Sequence, residues 1–510
     1  MESKIEARAY QNAIFETAKK HNTLVVLPTG LGKTLIALML AQHRLSLFPD
    51  SKVILLAPTR PLVEQHYNYF SKYLNQGEMH IFTGKINSKI RNKIWQNAKI
   101  IFSTPQCIEN DLKHNLIDIE NVSLLIEDEV HRCLKNYSYT YVAQEYRKLA
   151  KNPRLLGLTA SPGSDVSVIK EICKNLEIDA VEIRTRESQD VEPYLQKLDK
   201  EIIRVDLTEE MLQIKHLLFE LYKRKVEELK NRRLLFAPAT KTNLILLQKK
   251  LQGNLASGGN HFNVLRGLSV CAQAIKLQHA LELIETQGVE ISYRYLKDIF
   301  DQASQGKSKA VKQIANSREF VNAYSILIKL FETNIEHPKF AKLQEVMNKE
   351  IKNKPMLRAI VFSQYRETVS KIAEILNSQD IRAKTFIGQA NRRTKGLSQI
   401  EQQAIIREFQ QGKINALVST SIGEEGLDLP EVDLVVFYEP IPSAIRKIQR
   451  TGRTARLKPG KLIILITRNT RDESYYWAAH NKERKMRGVL ENMQENFKRE
   501  MKEKEQKKLF

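Results

Sequence analysis

Two short stretches of this 510-residue chain carry residue types that could do phosphate chemistry. The first is Leu27 to Thr34, LPTGLGKT, which follows the apolar run Thr23 to Leu27 and precedes a helical one, Leu35 to Ala41. A strand that turns through Gly30 and Gly32 into a helix leaves backbone N–H groups unpaired at the helix start, where they cradle a polyphosphate. Lys33 then reaches the β and γ phosphates and Thr34 offers its hydroxyl to Mg²⁺. Pro28, Thr29, Gly30, Gly32, Lys33 and Thr34 are thus expected to hold ATP, with Leu27 where such patterns more usually have Gly or Ala. The second stretch is Asp128, Glu129, Val130 and His131, directly after the apolar run Ser123 to Ile126. Asp128 can hold Mg²⁺ through water, and Glu129 can polarise the attacking water and take its proton. Glu127 stands where an apolar residue is more natural, so it should either cost stability or sit against a basic neighbour.

The elements that must position these residues alternate. Up to about residue 200, the runs Thr23 to Leu27, Lys52 to Ala57, Lys99 to Ser103, Ser123 to Ile126 and Arg154 to Leu158 are separated by helical stretches, which predicts a parallel sheet covered on both faces. A polar cluster follows each run: LPTGLGKT, APTRPLVEQH, STPQ, EDEVH and TASPG. Ligands collect at the carboxyl ends of parallel strands, so all five clusters should share one edge. A second series (Arg358 to Phe362, Ala416 to Val418, Leu434 to Phe437, Leu462 to Ile466) repeats the plan without repeating the sequence.

The fold class expected is therefore α/β, two tandem parallel-sheet domains with a helical insert between them. The boundaries read as 1–204 for the ATP-binding domain, 205–338 for the insert, 339–480 for the second domain and 481–510 for a charged helical tail. Asp206 followed by Glu209 looks like a capping box opening the insert, with a turn at Gly258 and Gly259. In the tail, Leu490, Met493, Phe497 and Met501 form one stripe, which predicts a partly docked helix with a frayed end.

Lys and Arg number 81 against 59 Asp and Glu, a formal charge of +22 that favours a polyanionic partner. From Leu229 to Leu281 the insert has no acidic residue. Lys230, Arg232, Arg233, Lys249 and Lys250 are accordingly read as phosphate-backbone contacts. No run approaches the roughly 18 apolar residues of a membrane span, and the amino terminus has no signal-peptide pattern, so a cytoplasmic protein is expected, nucleoid-associated in a prokaryote. The four cysteines contain no C-x-x-C pair, which argues against structural zinc and iron–sulfur clusters.

The ordered motifs closely resemble those of superfamily 2 helicases of the D-E-x-H type, which implies two RecA-like motor domains. By that resemblance Arg8 and Gln11 recognise adenine, Arg60 (in APTR), Thr83, Gly84 and Thr104 grip one strand's backbone, His131 completes motif II, and TAS (Thr159 to Ser161) links hydrolysis to domain closure. Gln364 and Arg366 fall in motif IV, Thr420, Gly426 and Asp428 in motif V, and Gln449, Arg453 and Arg456 in motif VI, QRTGRTAR. Arg453 and Arg456, one helical turn apart, would face the same way and reach the γ-phosphate held by the other domain.

The stretch Gly423 to Arg456, TRDESYYW (Thr470 to Trp477) and the helical insert look most like archaeal Hef and its Fanconi anaemia group M and Mph relatives, whose nuclease region has no counterpart here. That family implies a 3′ to 5′ DNA helicase or translocase acting on forked, branched or single-stranded DNA, with a separate nuclease or sliding clamp as candidate protein partners. Two other readings compete: a double-stranded RNA translocase of the RNA-sensor or Dicer kind, and an ATP-gated nucleic-acid clamp that does not unwind.

Overall fold

In the computed structural model, described over residues 6–75, 78–163, 165–257, 262–388, 396–420, 429–454 and 458–508, the apolar runs become two all-parallel sheets. The first contains β1 (Thr23–Val26), β2 (Lys52–Leu56), β3 (Met79–Phe82), β4 (Ile100–Ser103), β5 (Val122–Asp128), β6 (Leu155–Thr159) and β7 (Ala180–Ile183), in the order β3-β4-β2-β5-β6-β1-β7. Successive side chains serve opposite faces, which is why these strands are apolar throughout. Leu24, Ile54 and Leu125 pack with Tyr139 and Ile169 on one side, and Val25, Leu55 and Ile126 with Tyr10 and Ile36 on the other.

The second sheet contains β8 (Leu198–Val205), β9 (Ala359–Phe362), β10 (Ala383–Phe386), β11 (Ala416–Ser419), β12 (Leu434–Phe437) and β13 (Gly460–Thr467), in the order β10-β11-β9-β12-β13-β8. Strand β8 runs beside β13 from Leu198 opposite Gly460 to Val205 opposite Thr467. The boundary expected at residue 204 thus falls inside an edge strand of the second sheet, and by sheet membership the first lobe ends before Leu198. An edge strand needs no apolar run: in LDKEIIRV only Val205 is fully buried.

Between the sheets lie six helices, Glu209–Asn231, Lys241–Ala256, Phe262–Thr286, Val289–Ser304, Lys309–Ala315 and Arg318–Glu332, closed around Leu218, Leu221, Leu244, Leu277, Phe320 and Leu327. The first is capped by Thr208, whose Oγ1 accepts the Met211 N–H at 3.3 Å. Asp206, expected as the cap, instead accepts from Arg468 at 2.9 Å. The insert is fastened to the second lobe by Thr368 Oγ1 donating to Gln287 Oε1 at 2.7 Å and by Lys371 with Glu290 at 3.1 Å.

The tail is the end of a longer helix, Arg471–Lys508. It starts on the second lobe, where Asp472 accepts the Thr467 N–H and forms a fully buried ion pair with Lys339. It then crosses to the first lobe: Met486 and Leu490 enter that lobe's core, with Met493 and Phe497 packed against it. No helix among the described residues is long and apolar enough to cross a membrane.

Candidate nucleotide site and nucleic-acid surface

The loop after β1 turns as its glycines demand. Gly30 has φ +87° and Gly32 φ +79°, a region that side-chain-bearing residues rarely enter, and Gly32 caps the Lys33–Leu47 helix. Gln11 locks this loop from below: its Nε2 donates to Leu31 O at 3.1 Å, and Tyr10 OH donates to the same carbonyl at 2.8 Å. Arg8 is held beside them, its N–H donating to Gln11 Oε1 at 2.9 Å and its guanidinium 5.1 Å from the Tyr194 ring centre. Nothing in the sequence marks Tyr194, a lone aromatic in a polar stretch. Lys33 Nζ donates to Leu27 O at 2.9 Å, a carbonyl at the base of the phosphate loop.

At the end of β5, Asp128 and Glu129 stand where expected. Asp128 Oδ2 is 2.8 Å from His66 Nε2, both side chains buried. Burial opposes its charge, but the His66 hydrogen bond and the nearby His66 and Lys33 charges prevail and hold its carboxyl below the usual range. Its other oxygen, Oδ1, is buried with no hydrogen-bond partner among the described residues. An orphaned carboxylate oxygen on a group that feels the charge of Lys33 in the phosphate loop suits a water bound to a divalent cation, so the residues present fit such an ion. Tyr139 OH donates to the Asp128 carbonyl at 2.6 Å and steadies the strand end. Glu129 takes a left-handed φ of +52°, and its Oε2 lies 3.3 Å from His131 Nδ1. That same nitrogen is 3.2 Å from Thr159 Oγ1, which ties motif II to TAS.

Glu127 has no basic neighbour among the described residues. It is completely buried beside the Cys133 thiol, both oxygens lack a hydrogen-bond partner among the described residues, and burial raises its pKa well above the usual carboxylate range.

The second lobe meets the first at the phosphate loop. A Cβ built on Gly452 would stand 2.8 Å from Thr29 Cβ and nearer still to its Oγ1, so only glycine permits this approach. The helix Ala444–Thr451 stops just before it, with Gly452 as its C-cap. Arg453 therefore sits in the turn after the helix, buried, and Thr454 Oγ1 anchors that turn by donating to Val432 O at 2.7 Å. Arg453 is thus carried on a turn rather than on the helix itself. Arg456, Gly426 and Asp428, the Gly258 and Gly259 turn and the Gln449 side chain lie outside the described residues. Pro28 and Thr29, Ala160 of TAS, Thr451 and Gly452 and Met486 of the long tail helix share one cavity of about 240 Å³.

The family model described as DEAD/DEAH box helicase matches residues 8–169, and that of the helicase conserved C-terminal domain matches 338–458. A third, for the helical bundle of an ATP-dependent RNA helicase, matches 210–334. The crystal structure of the Pyrococcus furiosus Hef helicase domain is 43% identical, with a TM-score of 0.74 over 92% of this chain and 98% of its own. The chain belongs to the DEAD/DEAH-box helicases. A Methanocaldococcus jannaschii protein named as an ATP-dependent RNA helicase is 42% identical over 96% of this chain and 61% of its own length. The mouse Fanconi anemia group M protein homolog and the ATP-dependent DNA helicase mph1 of Sclerotinia sclerotiorum are each 33% identical, over 96% and 97% of this chain. The chain spans 26% and 42% of those two relatives.

This helicase is an ATP-dependent enzyme, and its remaining candidate residues divide by what they touch. Thr83 is buried, Gly84 is exposed with open space around its Cα, and Thr104 donates to Cys107 Sγ at 3.3 Å; all three follow the ends of β3 and β4. Arg60 is held by Glu64 at 2.6 Å at the head of the Arg60–Phe70 helix, whose middle supplies His66. In the second lobe, Gln364 and Arg366 follow β9 and Thr420 follows β11. The Gln364 N–H donates to Glu439, which also accepts from Ser363 Oγ at 3.2 Å. In the insert, Arg232 is taken up by Glu228 at 3.2 Å and by Asn263 at 3.0 Å. Lys230, Arg233, Lys249 and Lys250 are exposed and have no ion-pair partner among the described residues.

Proposed function

We propose that the chain is the motor of a DNA helicase or translocase that moves 3′ to 5′, inside the cell, on forked or branched DNA. The observation that carries the motor reading is the approach of Gly452 to Thr29, which sets Arg453 beside a phosphate loop built by the other lobe. In this reading Arg8 and Gln11 select adenine, and the loop from Pro28 to Thr34 holds the phosphates, with Lys33 exchanging the Leu27 carbonyl for a phosphate oxygen. Thr34 and Asp128 would hold Mg²⁺, which supplies charge neutralisation between the β and γ phosphates. Glu129 orients the attacking water and accepts its proton, and His131 relays the state of that carboxylate to Thr159. Arg453, with Arg456, stabilises transition-state charge only when the lobes are closed, a contribution of roughly 10³ to 10⁵ in rate for arginine fingers.

The division of labour follows the sheets: an ATP-binding lobe up to residue 197, a second lobe made of β8 and the chain from about 338 to 470, and the insert between them. Residues at the ends of β2, β3 and β4 and those following β9 and β11 would grip successive phosphates of one strand. Support for DNA comes from the relatives named as DNA helicases and from the exposed basic residues of the insert. The names of the M. jannaschii relative and of the helical-bundle family favour RNA as a second reading. Comparing ATPase stimulation by forked DNA and by duplex RNA separates the two: stimulation by RNA alone overturns the DNA reading.

A further inference from the structure

Among the described residues, two of the three most exposed large apolar side chains are phenylalanines of the insert, Phe236 at 86% and Phe262 at 79%. Both belong to one end of the helical bundle. Phe236 lies in the loop between the Glu209–Asn231 and Lys241–Ala256 helices, and Phe262 opens the next helix. Arg232, four residues before Phe236, donates to Asn263, the neighbour of Phe262. Leu234 and Leu251 both pack at Gly267, so the three helix ends converge there.

Two rings left in water at this end of the bundle forgo the stabilisation that burial would give, and nothing among the described residues covers them. The chain that carries them has no acidic residue from Leu229 to Leu281, although exposed Glu227 stands one helical turn before Lys230. The acidic residues that flank this stretch are spent internally, Glu228 on Arg232 and Arg266 and Glu282 on Lys241. That leaves Lys230 and Arg233 beside Phe236, and Lys249 and Lys250 on the adjoining helix end, to face outward. Exposed rings set among cations suit a ligand with flat faces and a phosphate backbone. A hydrophobic protein partner would not require the one-sided charge.

We propose that the tip of the insert is a binding site for unpaired nucleobases at a branch point, with Phe236 and Phe262 stacking on bases while the surrounding cations hold the backbone. This rests on the reading of the insert as a DNA surface and adds the base-stacking function to it. The other end of the Phe262–Thr286 helix is fixed to the second lobe through Glu285, which accepts the Arg471 N–H. Twenty-odd helical residues put the tip about 35 Å from that lobe, and at 3.4 Å per base step the stacking site falls on the order of ten base pairs from it.

The test uses the full chain and forks whose unpaired bases carry 2-aminopurine. Phe236→Ala and Phe262→Ala should each weaken fork binding about tenfold, and together about a hundredfold, since a base stacked on an aromatic contributes on this scale. 2-Aminopurine quenching should disappear, the melting temperature stay unchanged, affinity for continuous duplex be retained, and Phe236→Trp should restore fork affinity. A double alanine variant that binds forks as tightly as the parent overturns the proposal, and so does one that loses continuous duplex equally. Neutralising Lys230, Arg233, Lys249 and Lys250 separates the two levels: weakened binding there with no effect of the phenylalanines removes only the stacking site. No effect of either set removes the DNA reading of the insert as well.

Discussion

Replacing Gly452 with alanine tests the two-lobe mechanism at its narrowest point. The added methyl would lie 2.8 Å from Thr29 Cβ, whereas ordinary van der Waals approach begins at 3.4 Å. Rotation of Thr29 moves its hydroxyl but not its Cβ, and the Ile448 carbonyl at 3.2 Å closes the retreat on the other side. The lobes must therefore part by about 0.6 Å at the phosphate loop, and since a misplacement of about 1 Å can cost 10²-fold, kcat should fall roughly ten- to a hundredfold. In the proposed function, nucleotide binding belongs to the first lobe, through the Gly30 to Lys33 loop and Gln11, so affinity for a fluorescent ATP analogue should change by less than about threefold. DNA-stimulated turnover and nucleotide titration on the same preparation give both numbers. Wild-type kcat in Gly452→Ala, or equal losses in binding and turnover, would refute the argument that closure at this point sets the rate.

Four further outcomes are expected. His66→Ala should lower kcat or raise the Mg²⁺ requirement by about 10- to 100-fold, as loss of an outer partner of a metal-holding carboxylate generally does, with His66→Gln intermediate; a steady-state Mg²⁺ titration reads this. Glu129→Gln should abolish turnover and retain ATP binding, whereas Lys33→Ala should abolish turnover too, and undiminished hydrolysis in both would dispose of the assigned roles. Neutralising Lys230, Arg233, Lys249 and Lys250 should flatten the salt dependence of DNA binding by about 0.9 in log–log slope for each phosphate no longer neutralised, with Arg232 contributing little because Glu228 already holds it. Glu439 is a pH-dependent element: burial raises its pKa to about 7, against the attraction of Lys339 and Arg450. An acid whose folded pKa is raised favours the fold below its unfolded value near 4.5 and loses that contribution as pH rises to about 7. Denaturant melts across that interval should fall with pH in the parent and flatten in Glu439→Gln.

Much of the motor was legible because its chemistry sits at strand ends. Burial on both faces forces β1, β2, β4, β5 and β6 to be apolar runs, and the polar clusters after them mark the catalytic edge. What stayed hidden lacks that signature. Strand β8 is a polar edge, and β3 and β7 are short outer strands. His66 reads as one more residue of an amphipathic helix until β5 is laid against β2, which brings it onto Asp128. Gly452 was visible as a letter of motif VI, but its necessity comes from its approach to Thr29, distant in the sequence and in the other lobe. The turn that carries Arg453 off the helix axis follows from the same glycine. Arg232 resembles a DNA-binding residue by charge alone, and only the fold shows that it pairs with Glu228 and donates to Asn263.

Because the chain enters the second sheet through β8 before it makes the insert, and returns to that sheet afterwards, both roots of the insert are planted in the same rigid body. A rotation of roughly 10° between the lobes would then carry the distal end through about 6 Å, given a lever of some 35 Å. If the proposed motor works by such a rotation, each nucleotide turnover would sweep the far end of the insert by nearly two base steps while displacement at the cleft stays small, a mechanical leverage on whatever arm of a substrate is held there.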